Sequence, residues 1–126
     1  MDTVPVIYIE DEETEALLFK LGLNPRGIEV LHIPDSSPES LQVLETEAFQ
    51  RARAIFFDHW VGIMNGVDLA RSLREQGDTR PFFLLTAGDN INPTALQEIN
   101  LTYMRKPPEF SKLAETIHAL PDHSET

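Results

Sequence analysis

The sequence predicts an α/β domain in which helices cover both faces of a five-stranded parallel sheet. Five short apolar segments, rich in β-branched or aromatic residues, recur along the chain: VPVIYI (4–9), IEVLHI (28–33), RAIFF (53–57), PFFLL (81–85) and LTYM (101–104). Segments with a helical spacing of apolar residues lie between them. Strands that are apolar on both faces, each followed by a helix, are typical of a parallel sheet buried on both sides.

Two helices have the clearest signals in the sequence. The first begins with Ser37 as a cap and Pro38 at the first helical position, and its apolar face comprises Leu41, Leu44, Ala48 and Ala52. The last has Pro108 and Glu109 in its first turn, and its apolar face comprises Phe110, Leu113, Ile117 and Leu120. Both helices therefore have an apolar face that can pack on the sheet.

The fourth of the predicted helices should be short. Only 19 residues separate Thr86 from Lys106, and the helix should start near Pro93, after a loop predicted over AGDNINP (87–93). We therefore expect a shortened fourth helix in an otherwise regular series.

Composition limits the class of protein. The chain has 126 residues, 41% of them hydrophobic, which is enough for one packed domain; we assign residues 1–120 to it and 121–126 to a polar tail. With no cysteine, disulfides, thiolate metal sites and cysteine nucleophiles are excluded. A net charge of -11 argues against nucleic acid binding. No signal peptide or membrane-spanning segment is recognisable, so we expect a cytoplasmic protein without membrane insertion.

The residues that follow four of the five predicted strands supply three carboxylates, one hydroxyl and one ammonium group that could carry chemistry. They are Glu10 and Asp11 after the first, Asp58 after the third, Thr86 and Ala87 after the fourth, and Lys106 and Pro107 after the fifth. The carboxyl ends of parallel strands meet at one edge of a sheet, where ligands bind. Each residue also has a simpler structural explanation: an acidic first helical turn, a cap, or a solvated base.

Taken together, these residues favour metal-assisted phosphoryl chemistry. Clustered carboxylates bind Mg²⁺, which prefers oxygen ligands and retains water. With the metal, Lys106 and Thr86 could neutralise the oxygens of a phosphoryl group delivered to Asp58.

On these residues the sequence resembles the receiver domains of two-component response regulators, over nearly the whole chain. The resemblance includes the spacing from Asp58 to Asn65-Gly66, read here as an Asn-Gly turn, and Tyr103, which lies three residues before Lys106 at the family's aromatic switch position. It implies a (βα)5 flavodoxin-like receiver fold.

The resemblance also implies a role for each acidic residue and its neighbours. Asp58 would be the phosphoacceptor. Asp11 and Asp58 would hold Mg²⁺, or Mn²⁺ in its place, together with the backbone carbonyl of Trp60. Glu10 would belong to the metal site mainly through a water molecule, or would orient Lys106.

The remaining roles concern the phosphoryl group and the switch. Lys106 and the amide of Ala87 would contact the phosphoryl oxygens, and Thr86 would move towards them. Tyr103 would then turn inward, which would alter the face built from the fourth helix, the fifth strand and the fifth helix. An ordinary surface aromatic is the alternative for Tyr103.

The implied function is a stand-alone phosphoacceptor of a phosphorelay that catalyses only its own phosphorylation and dephosphorylation. The donor would be a sensor histidine kinase or a histidine phosphotransfer protein, and the output would be a downstream protein partner. Two alternatives are a pseudo-receiver that is never phosphorylated and a small Mg²⁺-dependent phosphohydrolase, which would need a substrate pocket and a second acid or base.

The segment after the acceptor departs from the family pattern. Gly62 stands where a proline is usual, four residues after Asp58, so we predict a more mobile loop over VGIMNG (61–66). Trp60 should partly shield the acyl phosphate from water. His59 is expected to be a solvated neighbour of the acceptor rather than a metal ligand.

Overall fold

The computed structural model describes residues 3–88 and 92–121. Its centre is a five-stranded parallel sheet of β1 (Val4–Ile9), β2 (Ile28–Ile33), β3 (Ile55–Asp58), β6 (Phe82–Thr86) and β7 (Leu101–Arg105), in the order β2-β1-β3-β6-β7. The predicted fold class is confirmed. Residues 89–91 of the predicted loop and 122–126 of the predicted tail lie outside the described residues.

Helices and one short hairpin connect the strands. The helices are α1 (Glu13–Leu23), α2 (Pro38–Leu41), α3 (Glu47–Gln50), α4 (Gly66–Glu75), α5 (Pro93–Glu98) and α6 (Phe110–His118), with 3-10 turns at Asn24–Arg26 and Gln42–Glu45. The hairpin pairs β4 (Trp60–Val61) with β5 (Met64–Asn65) in antiparallel fashion. Within the described residues, no helix is long and apolar enough to cross a membrane.

The sheet is buried on both faces because alternate residues of its strands enter two different cores. On β3, Ile55 and Phe57 pack with residues of α4, whereas Phe56 packs with residues of α1 and α6. The rings of Phe56 and Phe83 stack at 4.8 Å on the second side. This alternation explains why the central strands are apolar at nearly every position.

The prediction of a single helix after Ser37 is wrong, because the segment forms α2, a 3-10 turn and α3. Its start is as predicted: the Ser37 hydroxyl accepts from the Ser40 amide at 3.2 Å, and Pro38 is the first helical residue. The break lies at Thr46, which is extended (φ −74°, ψ 156°) and donates its hydroxyl to the Val43 carbonyl at 2.7 Å. Such a local side-chain bond competes with helical hydrogen bonding.

The break also changes which residues of this segment are buried. Leu44 and Ala52 are buried as predicted, but Ala48 is exposed and Phe49 packs against the core instead.

The other two helical predictions agree with the structure, with one shift. The short helix is α5, which has six residues and begins at Pro93 as expected. In the last helix, Leu113 and Ile117 are buried, but Glu109 is the N-cap, so Pro108 and Glu109 precede the first turn.

Candidate functional site

The ammonium of Lys106 gathers three carboxylates at the carboxyl-end edge of the sheet. Its Nζ contacts Asp58 Oδ1, lies 3.4 Å from Glu10 Oε2 and lies 2.9 Å from Glu15 Oε2. The lysine side chain is 17% exposed and that of Glu10 only 1%. The sequence analysis placed Lys106, Glu10 and Asp58 at this edge, and the structure brings all three into contact.

Glu15 is a member of this cluster that the sequence analysis did not identify. It lies in the first turn of α1, and not among the residues that directly end a strand, where the sequence predicts functional side chains. The available signal was its position two residues after Glu13, within the acidic run that follows β1.

Glu10 is the most enclosed acid of the cluster. Tyr8 donates its hydroxyl to Glu10 Oε2 at 3.1 Å, and the Glu12 amide donates to Oε1 at 3.1 Å. Burial, followed by the charge of Asp58, raises the pKa of the Glu10 carboxyl to about 7, although the Glu12 amide and Lys106 act in the opposite direction. Burial likewise raises the pKa of Tyr8, so its hydroxyl stays a donor.

Lys106 keeps its charge in this environment. Burial alone would lower the pKa of its ammonium, but the hydrogen bonds with Asp58 and Glu15 and the charges of Asp58 and Glu10 outweigh it and raise the pKa. The site therefore contains a permanent cation in direct contact with the candidate acceptor.

The segment after Asp58 forms the β4–β5 hairpin, whose backbone amides donate to the carboxylates of Asp58 and Asp11. The Trp60 amide donates to Asp58 Oδ2 at 3.3 Å, and the Gly62 amide donates to Asp11 Oδ2 at 3.0 Å. Gly62 has φ +65°, a left-handed conformation that favours glycine and that proline cannot adopt. The departure from the family pattern at this position thus has a conformational reason.

The predicted Asn-Gly turn is wrong, since Asn65 ends β5 and caps α4, and Gly66 begins that helix. The Asn65 side chain caps the helix by accepting from the Val67 amide at 2.8 Å, and Gly66 is its first residue. A Cβ atom on Gly66 would lie 2.0 Å from the Asp58 carbonyl oxygen. Glycine is therefore required here for α4 to approach the strand that carries the acceptor.

Thr86 ends β6 and is buried. Its Oγ1 accepts from the Gly88 amide at 3.0 Å and lies 3.2 Å from Nδ1 of His59. His59, expected to be a solvated neighbour, is half-buried, and its ring stacks on Trp60 with centroids 5.7 Å apart. That expectation was wrong because the ring turns towards β6.

The two other predicted phosphoryl-site and switch residues lie at the surface. Ala87 is exposed directly after Thr86. Tyr103 is 37% exposed, and its hydroxyl donates to the Gly88 carbonyl at 3.3 Å. Gly88 therefore connects Tyr103 to Thr86, because its amide bonds the threonine and its carbonyl bonds the tyrosine.

The oxygen atoms at this edge fit a Mg²⁺ site in which the protein supplies few of the ligands and water supplies the others. Among residues 3–88 and 92–121, no group of three or more acidic, histidine or cysteine side chains could hold a metal ion. Mg²⁺ commonly needs only one or two carboxylates and keeps several waters. Asp11 and Asp58 each accept from a backbone amide of the same hairpin, and these two carboxylates would meet that requirement. Glu10 is committed to Tyr8, Glu12 and Lys106, which fits the orienting role better than direct ligation.

Comparisons with known proteins find sequence similarity to response regulators. No protein-family model matches the chain. It is 26% identical over 122 residues to the response regulator MprA of Mycobacterium ulcerans, covering 94% of this chain and 50% of that protein. The MprA of Mycobacterium tuberculosis H37Rv is 25% identical over the same length. The chain thus spans about half the length of these curated relatives.

Solved structures show the same fold. A receiver domain protein from Bacillus halodurans is 24% identical with a TM-score of 0.68, covering 93% of this chain and 96% of that one. A CheY-like receiver domain from Methylobacillus flagellatus is 20% identical with a TM-score of 0.77, covering 95% and 100%. The resemblance predicted from the sequence is confirmed: the chain has the fold of response regulator receiver domains and resembles them along nearly its whole length.

Proposed function

We propose that the chain accepts a phosphoryl group on Asp58 from a phosphohistidine and signals through contact with another protein. The observation that carries this proposal is the contact between the Lys106 ammonium and the Asp58 carboxylate, with Thr86 at the end of the neighbouring strand. A carboxylate, a cation and a hydroxyl at adjacent strand ends are the groups that phosphoryl transfer to an aspartate requires.

The proposed reaction is a single displacement at phosphorus. An Asp58 carboxylate oxygen forms the new P–O bond as the P–N bond to the donor imidazole breaks, and the imidazole keeps the electron pair and takes up a proton. Lys106 exchanges part of its contact with Asp58 for a phosphoryl oxygen, and the Ala87 amide and Thr86 hydroxyl donate to the others. Glu10 and Glu15 keep the ammonium in place throughout.

Asp11, Asp58 and the Trp60 carbonyl would hold Mg²⁺, or Mn²⁺ in its place. The ion would supply charge neutralisation, which lets an anionic carboxylate approach an anionic phosphoryl group. A metal requirement is therefore part of the proposal.

A phosphohydrolase would need a substrate pocket beside the acceptor. A groove of about 690 Å³ lies elsewhere, between α2, α3 and α4, and none of its lining residues is a site residue. The proposal therefore favours stoichiometric phosphorylation by a donor protein, either a sensor histidine kinase or a histidine phosphotransfer protein. It keeps the cytoplasmic location expected from the sequence and a downstream protein as the output partner.

Intact-mass measurement after incubation with Mg²⁺ and acetyl phosphate tests the acceptor. We expect a gain of one phosphoryl group in the wild type, and no gain in Asp58→Asn or in a metal-free sample. Asp68→Asn is the matched control, since Asp68 is an exposed acid on α4.

Two results would refute the proposal. One is equal labelling of Asp58→Asn and the wild type. The other is a folded wild type that gains no phosphoryl group from acetyl phosphate or from purified histidine phosphotransfer proteins. The second result would favour the pseudo-receiver.

A further inference from the structure

The Thr86 hydroxyl is engaged away from the candidate acceptor. Its oxygen accepts from the Gly88 amide at 3.0 Å and contacts Nδ1 of His59 at 3.2 Å. The Asp58 carboxylate has other partners, the Lys106 ammonium and the Trp60 amide. Among the described residues, no hydrogen bond therefore joins Thr86 to Asp58, although the two residues end neighbouring strands.

A hydroxyl group can satisfy few partners at once. It has one proton and two lone pairs, and the Gly88 amide uses one of the lone pairs. When Nδ1 of His59 accepts, it uses the only proton; when Nδ1 donates, it uses the second lone pair. When Nδ1 accepts, Thr86 has to give up His59 before its hydroxyl can donate to an oxygen bound on Asp58; when Nδ1 donates, the hydroxyl proton is free, and the bond is lost only as the side chain turns its oxygen away from the ring.

The ring and the backbone of His59 each make a contact that restricts the residue. Its ring stacks on Trp60 with an interplanar angle of 19°. Its backbone carbonyl accepts from the Gly66 amide at 2.7 Å, at the start of α4. A ring fixed in this way presents Nδ1 to Thr86 at little further cost in side-chain entropy.

We infer that His59 is a positioning residue that holds Thr86 in its resting contacts, so that phosphorylation must break the His59–Thr86 bond to engage the switch. This inference rests on the proposed phosphoacceptor function. The expected consequence is that His59 disfavours the activated arrangement by about the free energy of one hydrogen bond.

The affinity of the protein for a phosphoryl analogue tests this inference. The probe is beryllofluoride with Mg²⁺, titrated while its bound form is followed by ¹⁹F NMR. His59→Phe keeps an aromatic ring to stack on Trp60 but has no ring nitrogen. We expect this variant to bind the probe about three- to tenfold more tightly than the wild type, because Thr86 no longer has to leave a partner.

Two further variants separate positioning from a general structural effect. His59→Asn places an amide group near the position of Nδ1 and should return the affinity to within about twofold of the wild type. In a Thr86→Ala background, His59→Phe should no longer change the affinity, because the bond it removes is already absent. Thermal unfolding followed by circular dichroism checks that each variant is folded.

The inference would be overturned if His59→Phe bound like the wild type, if His59→Asn behaved like His59→Phe, or if the gain persisted without Thr86. Failure of the proposed function would look different. In that case the wild type itself would neither bind beryllofluoride nor acquire a phosphoryl group on Asp58.

Discussion

The two edges of the sheet hold their buried cations in different ways. At the carboxyl-end edge, Lys106 contacts three carboxylates. At the amino-end edge, Arg80 is 2% exposed and bonds one carboxylate, that of Asp78, through Nε and Nη2 at 3.1 and 2.7 Å. Its Nη1 donates to the backbone carbonyls of Phe49 and Ala52 at 2.6 and 3.1 Å.

A second arginine continues the amino-end pattern. Arg74 donates to the carbonyls of Ile99, Asp78, Arg80 and Asn100 at 2.7 to 3.0 Å. Its guanidinium also lies 3.6 Å from the ring centre of Phe82. The two arginines thus join the chain segments that enter β3, β6 and β7.

The two edges differ in the charge of the groups that surround the cation: mainly neutral carbonyls at the amino-end edge, and carboxylates at the carboxyl-end edge. Backbone carbonyls are neutral and are fixed by the main chain, so the bonds that Arg74 and Arg80 donate to them involve no partner that can change its charge. Three carboxylates around one ammonium repel one another, and the pKa of Glu10, raised to about 7 by burial and then by the charge of Asp58, reflects that environment. The contacts at the carboxyl-end edge are therefore the ones that the proposed binding of a metal ion or a phosphoryl group would rearrange.

Removing Arg80 should have the largest effect on stability. Arg80→Met fills much of the same space but leaves Asp78 without this cation and removes the arginine bonds to the Phe49 and Ala52 carbonyls, of which the Ala52 bond is buried. We expect the free energy of unfolding to fall by about 3–5 kcal/mol in urea titrations. A loss below about 1 kcal/mol would show that the amino-end edge does not depend on this cation.

Removing the cation from the opposite edge should cost less. Lys106 is more exposed than Arg80, and the acids around it can take up protons when it is lost. We expect Lys106→Met to lower the free energy of unfolding by about 1–2 kcal/mol near neutral pH, while phosphoryl labelling of Asp58 falls to background. Equal losses of stability in Lys106→Met and Arg80→Met would remove the distinction between the two edges.

The pH dependence of stability should show the contribution of Glu10. Because its pKa is raised to about 7 in the folded state, the folded chain binds more protons than the unfolded chain, and this contribution to stability is lost as pH rises through that value. Relative to Glu10→Gln, the wild type should lose on the order of 1–2 kcal/mol between about pH 5 and about pH 8. Parallel pH profiles for the two proteins, measured without Mg²⁺, would contradict this assignment.

The smallest effect expected is on the lifetime of the phosphorylated form. Trp60 is 53% exposed beside Asp58 and should partly shield the acyl phosphate from water. Trp60→Ala should therefore shorten the half-life of the phosphoprotein, followed by intact mass after removal of the donor. Ile63→Ala is the control, since Ile63 is fully exposed at the hairpin turn and should leave the half-life unchanged.

Local patterns predicted the sheet and the meeting of Glu10, Asp58 and Lys106 at its carboxyl ends, because β-branched and aromatic runs define strands and polar residues mark where the strands end. They failed where a side chain overrode the pattern, as with the Thr46 hydroxyl that interrupts the expected helix. They also missed contacts between distant segments. Neither the His59–Thr86 pair nor the bonds from Arg74 to the Ile99 region leave a periodic signal in the sequence.

Trp60 makes the hairpin optically distinct from the rest of the protein. The chain contains one tryptophan, and its indole stacks on His59 while its backbone amide donates to the Asp58 carboxylate. Light emitted by tryptophan therefore originates from a single position next to Asp58. Quenching, a spectral shift or a change in anisotropy would report on this edge of the sheet in the unlabelled protein, in real time.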